Sequence, residues 1–153
     1  MTSLALWYDR FFSGFEKLAG PLLLLFVRIW AAKAFLQSGL VKIQSWDSTL
    51  YLFEEEYQVP LLPWELAAYL GTAAELILPP LLILGLMGRG VASALFVFNI
   101  MAVVSYPVLW DQGFYDHQLW GLMFLITAVF GPGFLSADHI LKKTFTQANN
   151  SSI

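Results

Sequence analysis

The chain has no cysteine, and only two histidines and 12% charged residues among its 153 positions. Without a thiol there is no disulfide, no thiolate metal site, no iron–sulfur ligand and no cysteine nucleophile. The two histidines, His117 and His139, fall at opposite predicted membrane faces, too far apart in depth to ligate one haem or metal ion together. Soluble domains carry about 25% charged residues, so half of the usual solvating charge is missing. The net charge of −3 comes with no basic patch suited to nucleic acid. No intrinsic cofactor is expected, and an enzyme working alone is the least expected class.

What remains is apolar: 58% of the residues are hydrophobic and 16% aromatic, with a mean hydropathy of +0.66. Four stretches, about 21–42, 64–87, 91–110 and 119–135, are predicted to cross a bilayer. The expected fold is an all-α integral membrane protein with a four-helix transmembrane bundle over residues 21–140. Residues 1–20 lack the basic start and small-residue cleavage pattern of a signal peptide. Their aromatic and charged residues alternate at helical spacing, which predicts an amphipathic helix in the interface, broken at Gly20-Pro21. Within the 44–63 loop, Trp46, Leu50, Phe53 and Tyr57 share a face, predicting a short amphipathic helix on the periplasmic membrane surface. Residues 141–153 read as a flexible cytoplasmic tail, with a frayed polar end over 149–153.

Orientation follows from the basic residues outside the spans. Arg10, Lys17, Arg89, Lys142 and Lys143 fall on one side; Asp47, Glu54, Glu55, Glu56, Glu65, Asp111 and Asp116 fall on the other with Lys42. Both termini are expected in the cytoplasm of a bacterial inner membrane.

The candidate site is a set of ionisable residues inside the spans. Arg28 and Lys33 lie in the first and Glu75 in the second, each costing roughly 2.5–3.5 kcal/mol to insert unpaired. Counting ~1.5 Å per residue from the outer ends puts Lys33 about 14 Å deep, Glu75 about 17 Å and Arg28 about 21 Å. Either cation could then reach Glu75. Lys33 lies about 140° round the helix from Arg28, so the two look in different directions. Pro79-Pro80 removes the donors for the carbonyls of Glu75 and Leu76, and is expected to interrupt the second span there. Arg28 could serve those oxygens with its five donors. Asn99, near mid-membrane in the third span, could add a hydrogen bond to a ligand or act as packing glue between helices. Such a place suits an anionic or carbonyl-bearing amphipath, such as a quinone head group. A self-neutralised staple between two helices is the competing reading.

Three motifs now stand in order: FLQSGLVKI closing the first span, ELILPPLLILGLMGRG in the second, and GPGFLSADHIL after the fourth. Together they resemble the DoxX family, over roughly residues 22–140. The residues that carry the resemblance are Arg28, Gly39, Lys42, Glu75, Gly85, Gly131, Pro132, Gly133, Ser136 and Asp138. Departures are Pro79-Pro80, and Asp116-His117-Gln118 where many relatives place a glutamate. The resemblance implies a four-helix inner-membrane protein. It also implies links to membrane oxidoreductases, including a quinone-reducing thiosulfate-oxidising complex, and to superoxide and thiol defence assemblies.

The reading is a small multi-pass membrane protein, a non-catalytic subunit or accessory of a redox or stress-response system. Arg28, Lys33, Glu75 and Asn99 are its candidate ligand-binding residues. Its expected partners are the lipid bilayer, a membrane or periplasmic redox protein, or a second copy of the chain. Alternatives from other classes are a small-solute transporter or channel, and a scaffold without a ligand.

Overall fold

The computed structural model describes residues 3–150, and all regular structure among them is helical. The helices are α1 (Ser3–Gln44), α2 (Trp46–Glu55), α3 (Trp64–Leu84), α4 (Gly88–Ser105), α5 (Val108–Asp111), α6 (Phe114–Phe130) and α7 (Ala137–Asn150). By length and composition, α1, α3 and α4 are long and apolar enough to cross a membrane. At 17 residues, α6 is shorter.

Small residues set how closely these helices approach. Ala31, Ala32 and Ala92 are fully buried and let α1 and α4 close on a shared core with Leu82, Leu95 and Phe124. Phe35 sits in the middle, with the rings of Phe98, Trp120 and Phe124 packed edge-on around it at 5.2–6.1 Å. That geometry suits the ring quadrupoles. Helix α3 ends in a left-handed cap at Gly85 (φ 67°), where the amides of Gly85 and Leu86 turn back onto Leu82 and Leu81.

Neither proline-marked break appears. Helix α1 runs through Pro21, because Gly20 has no Cβ to clash with the proline ring and only the Lys17 carbonyl loses its donor. Side chains of its first turns, Trp7, Phe11 and Phe15 among them, are exposed. Likewise α3 continues through Pro79-Pro80 to Leu84. Packing from neighbouring helices supports such prolines inside a membrane bundle. At the carboxyl end, α7 extends regular helix to Asn150, where a flexible tail is expected; residues 151–153 lie outside the described residues, as do Met1 and Thr2.

Helix α2 forms where the aromatic spacing predicts it, and its apolar face does not simply dip into lipid. Trp46, Leu50, Phe53 and Tyr57 pack on Ala67 and Ala68 of α3. Gly39 lies against Glu75, although α1 ends at Gln44 and α3 starts at Trp64. Helix α3 therefore stands about 9 Å beyond the end of α1. Helix α2 fills the step.

Candidate functional site

Gly39 is where α1 and α3 touch: a Cβ there would lie 2.9 Å from the Glu75 Cβ. Lys42, almost one turn further along α1, then meets the Glu75 carboxylate. Its ammonium donates to Oε2 at 2.6 Å, to Oε1 at 2.7 Å and to Ser38 Oγ at 2.9 Å. Ser38 in turn donates to Oε1 at 3.1 Å. All three ammonium protons are used, so the lysine has no donor to spare. Both charged residues are buried, Lys42 at 8% and Glu75 at 7% exposure.

Two cavities flank this pair. The larger, about 290 Å³, is mostly apolar, with Phe53, Tyr57, Leu70 and Phe98 among its walls and Lys42 and Glu75 at its polar edge. The smaller, about 200 Å³, runs past Ser38 and Glu75 to Tyr106, His117 and Trp120. Tyr57 borders both, its ring stacked between Phe53 at 4.4 Å and Tyr106 at 4.6 Å. Burial first, and the negative charge of Glu75 second, push the Tyr57 hydroxyl above the ordinary tyrosine range. It stays a protonated donor at neutral pH. Ser105, at the end of α4, also lines the larger cavity; its hydroxyl is buried with no hydrogen-bond partner among the described residues. A buried hydroxyl left unpaired costs about 1–3 kcal/mol, which makes Ser105 the spare polar group of the site.

Arg28 sits elsewhere. It is fully buried and donates to three backbone carbonyls, Leu24 at 3.3 Å, Leu82 at 3.4 Å and Leu135 at 2.6 Å. These come from α1, α3 and the α6–α7 connection. Gly85 makes the space, since any Cβ there would collide with the guanidinium. Beside it, Asp138 accepts from the amides of Met87 and Gly88 at 2.8 Å each, capping the start of α4.

Asn99 ties α4 to α6. Its amide donates to the His117 carbonyl at 2.9 Å, and its Oδ1 lies 2.7 Å from His117 Nδ1. Gly121 leaves the room for this contact. No group of three or more metal-ligating side chains occurs among the described residues.

The DoxX family model matches residues 23–107, more than half of the chain. The chain belongs to the DoxX family. A protein of Haemophilus influenzae, described as uncharacterized, is similar: 30% identical over 132 residues, 80% of this chain and 85% of its own. No solved structure matches. In this DoxX protein the residues that carry the family resemblance fall into two clusters. Gly39, Lys42 and Glu75 meet near the end where α2 packs. Arg28, Gly85, Ser136 and Asp138 meet at the other end.

Of the four residues expected at the site, Glu75 is there, but its partner is Lys42 rather than Arg28 or Lys33. Depths counted from flush helix ends misplace the pair, because α3 overhangs α1. Arg28 reaches Leu82 instead of the carbonyls of Glu75 and Leu76, since the α1–α3 register sets it beside the end of α3. Lys33 is on the exposed face of α1. Asn99 faces His117. Sequence reasoning missed Ser38, Ser105 and Tyr57 as site residues. The signal for Lys42 was available, as it lies within about 40° of Arg28 on the buried stripe of α1.

Proposed function

We propose that this DoxX membrane protein binds a carbonyl-bearing amphipath, a quinone head group above all, in the cavity beside the Lys42–Glu75 pair. It would act as a non-catalytic subunit or accessory of a membrane redox or stress-response system. The observation that carries the reading is the pairing of the cavity, about 290 Å³, with the unpartnered Ser105 hydroxyl. A quinone supplies a two-electron, two-proton carrier with carbonyl acceptors on an otherwise apolar ring. The residues fit: hydroxyl donors on Ser105 and Tyr57, apolar walls, and a fully bonded ion pair that holds the floor in place. Glu75 contributes through that pair. Lys33 and Asn99 stand outside this cavity; Lys33, on an exposed face, is free to meet a partner protein or second copy.

In the same reading α6 is the fourth crossing, about 25 Å long at ~1.5 Å per residue. The protein sits in the bacterial inner membrane with both termini in the cytoplasm, and the α2 end faces outward. The distribution of basic and acidic residues supports this orientation.

The test is quinone retention by the purified protein. Wild type should carry quinone through purification, and Glu75→Gln and Ser105→Ala should carry several-fold less with helical content unchanged. No bound quinone, together with no effect of added quinone on thermal stability, rejects the ligand. Solute flux in proteoliposomes separates the transporter alternative, because a quinone-binding accessory predicts none.

A further inference from the structure

At the opposite end of the bundle, a third cavity of about 430 Å³ opens between the start of α4, the α6–α7 connection and α7. Three basic side chains border it. Arg89 enters from α4, its guanidinium lying over Gly131, where a Cβ would come within 3.2 Å of Nε. Gly131 also has a positive φ of 83°, so a side chain at that position is doubly excluded. His139 and Lys142 enter from α7, one helical turn apart on the same face.

The charge balance there is positive. The acid in the lining is Asp138, and both of its oxygens are already engaged by the amides of Met87 and Gly88. Neither the Arg89 nor the Lys142 side chain has a hydrogen-bond or ion-pair partner among the described residues. A guanidinium forks onto two oxygens of a phosphate, and an ammonium adds a point charge. The rim of the cavity is apolar and outward-facing: Met87 is 72% and Phe130 70% exposed, with Phe134 and Ile140 exposed nearby. Cations set beside exposed apolar surface match a ligand with an anionic head and acyl tails.

We propose that Arg89, His139 and Lys142 form a binding site for the phosphate of an anionic phospholipid in the leaflet at the α3–α4 turn. The site is independent of the quinone reading. Its two cations, Arg89 and Lys142, and the His139 imidazole hold the head group, and Met87 and Phe130 lie along the upper acyl chains.

Native mass spectrometry of the full chain, released from neutral detergent with added phosphatidylglycerol or phosphatidylcholine of matched chains, tests it. Wild type should prefer phosphatidylglycerol. Removing the cations by Arg89→Gln and Lys142→Gln should lower that preference about fivefold for each. Arg89→Lys should keep most of it. Lys33→Gln removes the same charge from an exposed face of α1 and should leave the preference intact. Equal binding of the two lipids by wild type overturns the proposal, as does a preference that survives the double variant or falls equally in Lys33→Gln. Millimolar inorganic phosphate should not displace the lipid; displacement would assign the site to a soluble phosphate and overturn the lipid reading.

Discussion

Arg28 and the Lys42–Glu75 pair are both charges held between α1 and α3, about 21 Å apart along α1, yet they are satisfied in different ways. Arg28 has no carboxylate within ion-pair distance among the described residues, and its N–H groups end on peptide carbonyls from three parts of the chain. None of the cavities described above includes it. The lysine and glutamate satisfy each other, and beside them lie two cavities and an idle hydroxyl. A buried charge bonded wholly to backbone is a fastening of the fold. A buried pair with open space and a spare donor alongside is a place for something else to bind.

That contrast can be broken by substitution. The largest expected effect is at Arg28: Arg28→Met takes the side-chain donor from Leu82, whose carbonyl keeps the Gly85 amide, strands the Leu135 carbonyl and unties three parts of the chain, and should cost about 3–5 kcal/mol in detergent unfolding. Arg28→Lys should recover little, because an ammonium cannot reproduce the fork. If Arg28→Met melts like wild type, the fastening role is wrong. Next comes Lys42→Met, at about 3 kcal/mol, since it leaves a carboxylate buried without its counter-ion. The double change Lys42→Met with Glu75→Met should return to within about 1 kcal/mol of wild type. A double variant as unstable as the single one would make the pair a second fastening and erase the contrast.

Smaller still is Gly39→Ala, expected at about 1–3 kcal/mol, because the methyl must push α1 off α3 at the Glu75 Cβ. Thermal unfolding with and without added quinone separates its effect on packing from its effect on the cavity. The smallest effect on stability belongs to Ser105→Ala, which removes a buried unpaired hydroxyl and should stabilise the fold by about 1 kcal/mol. Its quinone retention should nevertheless fall several-fold. Unchanged retention would remove Ser105 from the site.

Much of this arrangement is legible in the order of residues alone. The apolar runs, the aromatic face of α2, the different directions of Arg28 and Lys33, and the burial of Glu75 all follow from spacing and composition. The partner of Glu75 does not. Residue counting measures depth only within one helix, and the offset between α1 and α3 depends on how α2 packs on Ala67 and Ala68. Proline also misleads: Pro21 and Pro79-Pro80 read as breaks, yet neighbouring chain geometry lets both helices continue. Lys42 reads as a loop-side cation because α1 outlasts its apolar stretch by a turn. Ser105 could not be singled out, since only the packed helices tell an unpartnered hydroxyl from a bonded one.

The Arg28 hydrogen bond to Leu135 joins residues 107 positions apart in sequence. During synthesis the first helix enters the bilayer long before Leu135 leaves the ribosome. Until then Arg28 can meet at most its α1 and α3 carbonyls, and its last partner arrives only after α6 is in place. The final connection therefore closes the bundle, and a chain shortened before it would leave a charged side chain incompletely satisfied within lipid.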